Sequence, residues 1–397
     1  MATVKLYYEN AFLQDFTAVV ESCGAVKDGF AVVLDRTAFY PEGGGQPADH
    51  GTLGDARVLD VHEKDGVIVH TCDRALTPGA EVPGRIDWAR RFDHMQQHAA
   101  DHMIAGTIWR MFGGVTIGLH ESDEVSTIDV SMPDGRTHLT PDEIARVESH
   151  VNDQIQRNVP IRCWFPSAEE LETLPLRKKP TVSEHIRVVA IGDEEMVACG
   201  GTHPSSAGQL GLVKIVSVAP ARGKMRIGFI AGGRALRDYA VCYRSAHAAA
   251  ELFSTRVENL ESSVRTLQDR LREAESELST LREESLMRSL EAELSDAPVV
   301  CGGKMIARFV NADAQIMRAC ASALIKNSGV IALLGILNGE RATYVFARSA
   351  DVDCDMGALL RAAAVSLGGK GGGKPDYAQG GGPKAMLDRA KDLILEK

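Results

Sequence analysis

Two short motifs that could bind one metal ion lie far apart in this sequence, and the fold has to bring them together. His94 and His98 stand four residues apart in FDHMQQHAADH, which has helical periodicity, and Cys199 and His203 bracket Gly-Gly-Thr in ACGGTH. Imidazoles four apart project from one face of a helix. Three imidazoles and one thiolate suit a tetrahedral zinc ion. Either pair alone is usually an ordinary surface or core feature, but the two together favour a metal site.

The motifs leave the role of such a metal open. Four protein ligands would complete a structural zinc site, whereas a catalytic zinc keeps one position free. His102 extends the same helical face, and we expect it to contact a ligand residue or the substrate rather than the metal. Asp93, Asp101 and Asp193 are candidate general bases, but solvated or helix-capping roles are favoured for them, so we assign no base.

The first part of the chain predicts two structural regions. Residues 1–88 contain apolar, β-branched runs such as GFAVVLDRTAFY and GVIVHTC between Gly and Asp turns, which indicates a small β-barrel, with a sandwich as the alternative. Residues 89–245 mix helices with strands. One helix begins at Trp88, a second is capped by Thr140 with Glu143 three residues later, and strands follow in IRVVAIG and MRIGFIAG. We expect an α+β domain there.

Residues 246–297 predict a helical arm. Apolar side chains recur at alternating spacings of four and three from Phe253 to Leu281, with charged residues between them. This pattern is typical of a coiled coil or helical hairpin, and one long surface helix is the alternative. The sequence leaves open whether the apolar seam pairs within the chain or with a second copy.

Residues 298–397 predict a last α/β unit with an unusual glycine-rich stretch. SLGGKGGGKPDYAQGGGPK holds eight glycines in nineteen residues and has no Walker motif. We interpret it as a loop in which Lys370 and Lys374 approach phosphate or ribose, because glycine permits close backbone approach. A flexible tail is the alternative reading.

Composition limits the class of protein. A chain of 397 residues with 44% apolar and 25% charged residues is an ordinary globular protein of several domains. No apolar run approaches the roughly 18 residues of a membrane span, and the N-terminus lacks a secretory signal, so we expect a cytoplasmic protein. Eight scattered cysteines favour reduced thiols over a disulfide framework.

Several stretches, in one order, resemble the editing domain of alanyl-tRNA synthetase. They are TAFYPEGGGQPADHG (37–51), the H-x-x-x-H at 94–98, LRKKP (176–180), IRVVAIGD with ACGGTH (186–203) and GKMRIGFIAGGRAL (223–236). The glycine-rich stretch at 368–382 resembles the DHH-associated C-terminal domain of the same enzyme. Nothing here resembles that enzyme's aminoacylation domain. The chain is therefore similar to the long form of the AlaX family of freestanding alanyl-tRNA editing proteins.

The resemblance implies an activity and a cofactor. The family hydrolyses the ester that joins a wrong amino acid, mainly serine, to tRNA(Ala), so we expect a zinc-dependent deacylase of Ser-tRNA(Ala), with Gly-tRNA(Ala) as a further ester to test. The positions that match His94, His98, Cys199 and His203 are zinc ligands in that family.

The resemblance also implies a pocket beside the metal, lined by the hydroxyl of Thr37 and by the turn Gly43, Gly44, Gly45 and Gln46. We predict that Thr37 and Gln46 are the catalytic-site residues that contact the serine hydroxyl. A site built to bond a hydroxyl rejects the analogue that lacks it, here alanine. One family variant has serine where this chain has Gly43, so no role for that hydroxyl is carried over.

The implied partner is tRNA(Ala) mischarged with serine. The net charge of −10 argues against an extended RNA-binding surface, but residues 298–397 carry 13 basic and 9 acidic side chains. We expect RNA contacts there and on two local clusters, with solvated surface charge as the alternative for each. A homodimer through the helical arm or the C-terminal unit is one option. The predicted basic contacts are Arg177, Lys178 and Lys179, then Arg222, Lys224 and Arg226, and finally Lys370 and Lys374.

Three rival functions remain at this point. One is a non-catalytic tRNA-binding protein with a structural zinc, and another is an editor of a different seryl-tRNA. The third is a phosphodiesterase of the nanoRNase kind, which the C-terminal resemblance suggests. That chemistry requires Asp-rich metal motifs, and the sequence has none.

Overall fold

A computed structural model of the chain describes residues 2–178, 180 and 185–396. Lys179, one of the predicted basic contacts, lies outside the described residues. The chain divides into two compact units, Met1–Ala246 and His247–Lys397. Both units combine helices with sheets, so the protein is a multidomain α+β protein.

The first unit begins with a closed barrel. Along its first long strand Phe16, Ala18 and Val20 point into the core while their neighbours face solvent, which is the alternation of a half-buried strand. The elements of this region are β1 (Val4–Lys5), α1 (Leu6–Glu9), β2 (Asp15–Val26), β3 (Gly29–Leu34), β4 (Arg36–Thr37), β5 (Gly51–Leu53), β6 (Ala56–Lys64), β7 (Val67–Cys72) and β8 (Glu81–Ile86). The barrel order is β2-β3-β7-β6-β5-β8, with β8 pairing back onto β2.

The rest of the first unit is built round one long buried helix. Its elements are α2 (Trp88–Phe112), β9 (Val115–His120), β10 (Ser126–Ser131), α3 (Pro141–Gln156), β11 (Ile161–Trp164), α4 (Ala168–Thr173), β12 (Val188–Ile191), β13 (Glu195–Ala198), β14 (Val213–Ala221), β15 (Lys224–Ala231) and α5 (Gly232–Leu252). One sheet has the order β14-β15-β10-β9 and another has the order β11-β12-β13.

Helix α2 begins at Trp88, as predicted, and local residues set both of its ends. The side chain of Asp87 caps the first turn by accepting from the backbone N–H of Arg90, and Gly113 ends the helix in the left-handed conformation at φ 70°. The amide of Gln97 bonds the backbone of Ala231 in β15, which holds the middle of α2 against the sheet. The capping box predicted for α3 is confirmed, because Thr140 and Glu143 exchange two hydrogen bonds.

The second unit contains the predicted long helix and a six-stranded sheet. Its elements are α6 (Leu260–Ser295), β16 (Val299–Val300), β17 (Gly303–Phe309), α7 (Ala314–Leu324), β18 (Val330–Asn338), β19 (Arg341–Arg348), α8 (Met356–Leu367), β20 (Lys370–Gly373), β21 (Tyr377–Pro383) and α9 (Met386–Leu395). The sheet order is β16-β17-β18-β19-β21-β20, in which only β17 and β18 pair in parallel.

The apolar seam of α6 has two parts. Near the C-terminal end, Leu286 and Leu290 are buried and pack in one cluster with residues of α7. Farther towards the N-terminus Leu267, Leu271 and Leu281 are more than half exposed. The helix of the arm begins at Leu260, beyond Phe253 and Val257, the first positions of the predicted seam, and pairing in a coiled coil or hairpin stays a prediction. Within the described part of the chain, no helix is both long and apolar enough to cross a bilayer.

The glycine-rich stretch is not a loop, which corrects our interpretation of it. It forms the antiparallel pair β20 and β21 at one edge of the sheet, so Lys370 belongs to a strand and Lys374 to the connecting turn. A Cβ at Gly371 would lie 2.8 Å from the Cα of Gly380 and 2.8 Å from Leu360 of α8. The glycines are therefore needed for close packing within the sheet and against the helix.

Candidate metal centre and its cavity

Four side chains with metal-binding atoms meet at one point in the first unit. His98 and His102 come from the middle of α2, Cys199 and His203 come from the loop after β13, and their potential ligand atoms all lie within 4.8 Å of one another. The Sγ of Cys199 is 3.2 Å from Nε2 of His98 and 3.5 Å from Nε2 of His203. Three ring nitrogens and one sulfur are a typical donor set for tetrahedral zinc. The group is therefore a candidate metal centre.

His94 is not part of this group, and this corrects the predicted ligand set. Three histidines follow one another at intervals of four along α2, so spacing alone could not choose the pair. His94 is buried, but its Nδ1 lies 3.2 Å from Oε2 of Glu121. His102, which we expected to be a neighbouring contact, takes the place in the cluster that was predicted for His94.

The cluster stabilises the ionised form of its thiol. Burial alone would raise the pKa of Cys199, but His98 and His102 lower that pKa well below its usual value. Burial likewise opposes protonation of His102, yet Cys199 raises the pKa of His102 to about 9. Burial lowers the pKa of His203 to about 3. A thiolate is the form of cysteine that binds metal ions.

Two buried carboxylates lie close to the Nδ1 atoms of His98 and His102. Oε1 of Glu121 lies 3.1 Å from Nδ1 of His98, on the side of the ring away from Cys199. Oε1 of Glu195 lies 3.8 Å from Nδ1 of His102, and Arg177 donates to both oxygens of Glu195 at 2.8 and 3.0 Å. Metal-binding histidines commonly have such carboxylate partners, which orient the ring.

The loop that carries Cys199 and His203 is held through its backbone. Nη1 of Arg187 donates to the carbonyl oxygens of Cys199 and Gly201 at 3.1 and 2.8 Å. A Cβ at Gly201 would lie 2.8 Å from Nδ1 of His98, closer than real Cβ atoms approach. The second glycine of ACGGTH is therefore required for the loop to pack against α2.

Gln46 reaches the same loop from the glycine-rich turn that precedes β5. Its Nε2 donates to Oγ1 of Thr202 at 2.7 Å, and its Oε1 accepts from the backbone N–H of Thr202 at 3.0 Å. We predicted that Gln46 contacts the serine hydroxyl, but both ends of its amide are bonded to Thr202. Its observed role is to connect the barrel region, by two hydrogen bonds, to the loop that carries Cys199 and His203.

Replacing Gln46 with leucine is expected to weaken Zn²⁺ binding by about 10- to 100-fold, the range for lost supporting contacts at metal sites. The change leaves the buried N–H and hydroxyl of Thr202 without partners, so the loop is less well held. Competition titration with a chelator of known affinity measures the change. Thr202→Ser keeps the hydroxyl and is the matched control. Equal affinities for Gln46→Leu and wild type would contradict this positioning role.

Thr37 lies away from the cavity, in the interior of the barrel, which corrects its predicted role. It is fully buried, its hydroxyl is 2.9 Å from Nε2 of His70, and it accepts from the backbone N–H of Phe39 at 3.1 Å. A hydroxyl with both of these partners supports the barrel core. Thr37 is not among the residues that line the cavity beside His98, His102 and Cys199.

A cavity of about 440 Å³ opens beside the cluster. His98, His102 and Cys199 form part of its wall, and the predicted glycines Gly43 and Gly44 form another part. Gly45 instead packs on β9, with its carbonyl accepting from the backbone N–H of Glu121. An aromatic part of the wall consists of Tyr7, Tyr8 and Tyr40. The volume and the mixture of apolar and polar walls are typical of small-molecule sites.

The predicted basic contacts have different surroundings. Lys178 is exposed and lines the cavity, whereas Arg177, also in the wall, is paired with Glu195 and is not free to bind phosphate. Lys224 begins β15, and its neighbour Arg226 forms an ion pair with Asp129 at 2.7 Å. Lys370 and Lys374 belong to the second unit.

Sequence reasoning missed both carboxylates behind the histidines. For Glu195 a signal was available, because it is an acid within the apolar strands VVAIGDEEMVAC, and buried acids need partners. For Glu121 no such signal was available, because it follows β9 in a polar stretch that predicts an exposed turn. Which histidines the two acids contact is visible only in the packing round α2.

Comparison with known proteins agrees with this architecture. Residues 2–90 match the family "tRNA synthetases class II (A)", and residues 302–397 match the "DHHA1 domain". Residues 186–227 match the "Threonyl and Alanyl tRNA synthetase second additional domain", and this match contains Cys199 and His203.

Relatives align along nearly the whole chain. The alanine–tRNA ligase of Halorubrum lacusprofundi is 31% identical over 99% of this chain, and that of Pyrobaculum aerophilum is 34% identical over 99%. In both cases the chain spans 44% of the relative's length, less than half. A crystal structure of the C-Ala domain of Aquifex aeolicus alanyl-tRNA synthetase is similar at 22% identity, covering 24% of this chain and 92% of that domain, with a TM-score of 0.23. That TM-score is too low to define the fold.

The chain is similar to a class of proteins, those related to alanyl-tRNA synthetase that combine a second additional domain with a DHHA1 domain. Within that class its domain content fits an AlaX-like protein. The resemblance seen in the sequence is thereby confirmed.

Proposed function

We propose that this chain is an aminoacyl-tRNA deacylase that hydrolyses the ester of serine mischarged to tRNA(Ala). The observation that carries the proposal is the cluster of three imidazoles and a thiolate in the wall of the cavity. Cys199 and His203 of this cluster lie within the match to the second additional domain of threonyl- and alanyl-tRNA synthetases. The relatives' names supply tRNA(Ala) as the partner.

Zinc is the metal that the residues of the cluster suit best. The donor set is three nitrogens and one sulfur, and His98 and His102, acting against burial, hold the pKa of the Cys199 thiol well below its usual value, which favours the thiolate. Neither ring nitrogen of His102 has a hydrogen-bond partner of ordinary geometry among the described residues, although both are buried. Buried polar atoms are normally satisfied, so a metal ion is a reasonable partner for this ring. His98, His102, Cys199 and His203 would hold it.

The bound metal would supply Lewis-acid chemistry, either on the ester carbonyl or on a water molecule. The chain's own residues supply orientation. Glu121 and Glu195 fix the rings of His98 and His102, and Gln46 with Arg187 fixes the loop of Cys199. A preorganised site loses less energy to rearrangement during the reaction.

The cavity can accept the acyl end of the substrate. Its 440 Å³ is enough for an aminoacyl ester with part of the terminal nucleoside. Lys178 in the wall can meet a phosphate, and Lys224, Lys370 and Lys374 are proposed contacts farther along the tRNA. Phosphate contacts of this kind weaken as salt concentration rises.

Purified protein is expected to release serine from Ser-tRNA(Ala) at least about 100-fold faster than alanine from Ala-tRNA(Ala), because polar groups in the cavity remain unpaired when alanine binds. The measurement is deacylation of the two radiolabelled tRNAs, with zinc content determined on the same samples. Gly-tRNA(Ala) and Ser-tRNA(Ser) complete the panel and test the other ester and the tRNA identity.

Hydrolysis of neither ester by zinc-loaded protein that still binds tRNA would reject the proposal. That result would favour a tRNA-binding protein with a structural zinc, for which four protein ligands are the usual arrangement. Release of serine from Ser-tRNA(Ser) but not from Ser-tRNA(Ala) would instead favour an editor of another seryl-tRNA.

A further inference from the structure

One acidic side chain in the cavity wall has a buried oxygen without a hydrogen bond among the described residues. Asp101 stands on α2 between His98 and His102, lines the cavity and is 6% exposed. Its Oδ1 is buried, and it has no hydrogen-bond partner among the described residues. Three other buried carboxylates of this unit have ion-pair partners: Asp49 lies beside Arg91, Glu195 beside Arg177, and Glu121, whose Oε1 also lacks a hydrogen bond of ordinary geometry, lies 3.1 Å from Nδ1 of His98. Asp101 therefore differs from these three acids, because it forms no ion pair among the described residues.

A buried carboxylate without a hydrogen-bond donor lowers the stability of a protein unless a bound ligand supplies the donor. Arg177, a cation in the cavity wall, donates its Nε–H to Glu195 and forms no hydrogen bond with Asp101 among the described residues. A cationic group that enters the cavity with several N–H donors would satisfy the carboxylate. The α-ammonium group of an aminoacyl ester has one positive charge and three such donors.

We propose that Asp101 binds the α-ammonium group of the aminoacyl ester, an inference that rests on the proposed function. A free carboxylate and an ammonium group make a charge-assisted hydrogen bond, which is among the stronger polar contacts in proteins. The contact selects esters of amino acids over other acyl esters. It also orients the acyl group, because the ammonium is attached directly to the carbon next to the ester carbonyl.

Binding of two stable analogues tests the proposal without relying on catalysis. One is adenosine with L-serine joined to its 3′ position through an amide, and the other carries 3-hydroxypropanoate, which lacks only the α-amino group. Calorimetry on zinc-loaded full-length protein is expected to show the seryl analogue binding about 10- to 100-fold more tightly. In Asp101→Asn this difference is expected to fall to about 3-fold or less, with zinc content unchanged, since a neutral amide no longer pairs with the ammonium charge.

The matched control is Thr116→Val. Thr116 lines the same cavity and has an equally unpartnered buried hydroxyl, but it carries no charge. This variant is expected to keep the full preference for the amino group. Asp101→Ser, which is smaller, repeats the test if the asparagine variant folds poorly.

The outcomes separate the inference from the proposed function. Equal binding of both analogues by wild type, or equal weakening of both in Asp101→Asn, would overturn the role of Asp101. Loss of zinc from Asp101→Asn would also overturn it and make Asp101 a positioning residue for His102. Wild-type protein that prefers the seryl analogue but hydrolyses no ester would leave Asp101 as an ammonium site and reject only the deacylase activity.

Discussion

Replacing His102 with alanine is expected to remove the bound metal and to lower hydrolysis of Ser-tRNA(Ala) by at least about 1000-fold, on the scale of losing a central catalytic group. The reason is geometric. The potential ligand atoms of His102, His98, Cys199 and His203 all lie within 4.8 Å of one another, and no fifth described side chain belongs to this group. Zinc content by mass spectrometry and the deacylation rate are measured on the same preparation.

His94→Ala is the matched control for this prediction. His94 is on the same helix, is equally buried and has the same chemistry, but its Nδ1 faces Glu121 and it lies outside the group. The variant is expected to keep one zinc per chain. If His94→Ala lost the metal while His102→Ala retained it, the ligand set inferred from the spacing H-x-x-x-H at 94–98 would be correct and the set derived from the structure would be wrong.

The second large effect concerns stability. Arg91 is fully buried where α2 meets the barrel, and it donates to Asp49 and to the carbonyl oxygens of Ala11 and Ala38. Replacing Arg91 with leucine leaves the carboxylate of Asp49, itself 1% exposed, without its cation. Breaking a buried pair in this way is expected to lower the free energy of unfolding of the first unit by about 3–5 kcal/mol.

Tryptophan fluorescence in a urea titration isolates this effect. All three tryptophans, Trp88, Trp109 and Trp164, lie in the first unit, so the signal reports that unit even though the chain has two. Arg85→Ala breaks an exposed pair with Asp15 and is expected to leave the transition unchanged. A shift for Arg91→Leu no larger than that for Arg85→Ala would mean that the buried pair contributes little.

The double variant Arg91→Leu with Asp49→Leu refines the result. Removing both charges leaves no isolated carboxylate, so it is expected to be less destabilising than the sum of the two single changes. Asp49 also accepts from the backbone N–H of Tyr40 at 2.6 Å, and that donor stays unpaired in the double variant. Part of the lost stability is therefore expected to remain.

The local structure of this protein followed from short stretches of sequence. Asp87 and Gly113 bound α2 because a capping carboxylate and a left-handed glycine act within one turn of the helix. The same holds for the capping box of Thr140 and Glu143. The glycine-rich stretch shows the limit of such reasoning. Its glycines predicted a loop, but contacts with α8 and the sheet, distant in sequence, turned it into two strands.

The candidate metal centre likewise has features that follow from the sequence and others that follow only from the tertiary structure. By itself the sequence determined which donor atoms a candidate metal site could have, because Cys199, His203 and a helix with histidines every four residues offer the ligands that a few metals prefer. It could not determine which histidines take part, since His94, His98 and His102 share one helical face. Only the tertiary structure decided this. Glu121, which follows β9, contacts His94, and the loop held by Gln46 and Arg187 meets α2 one turn later, at His98 and His102.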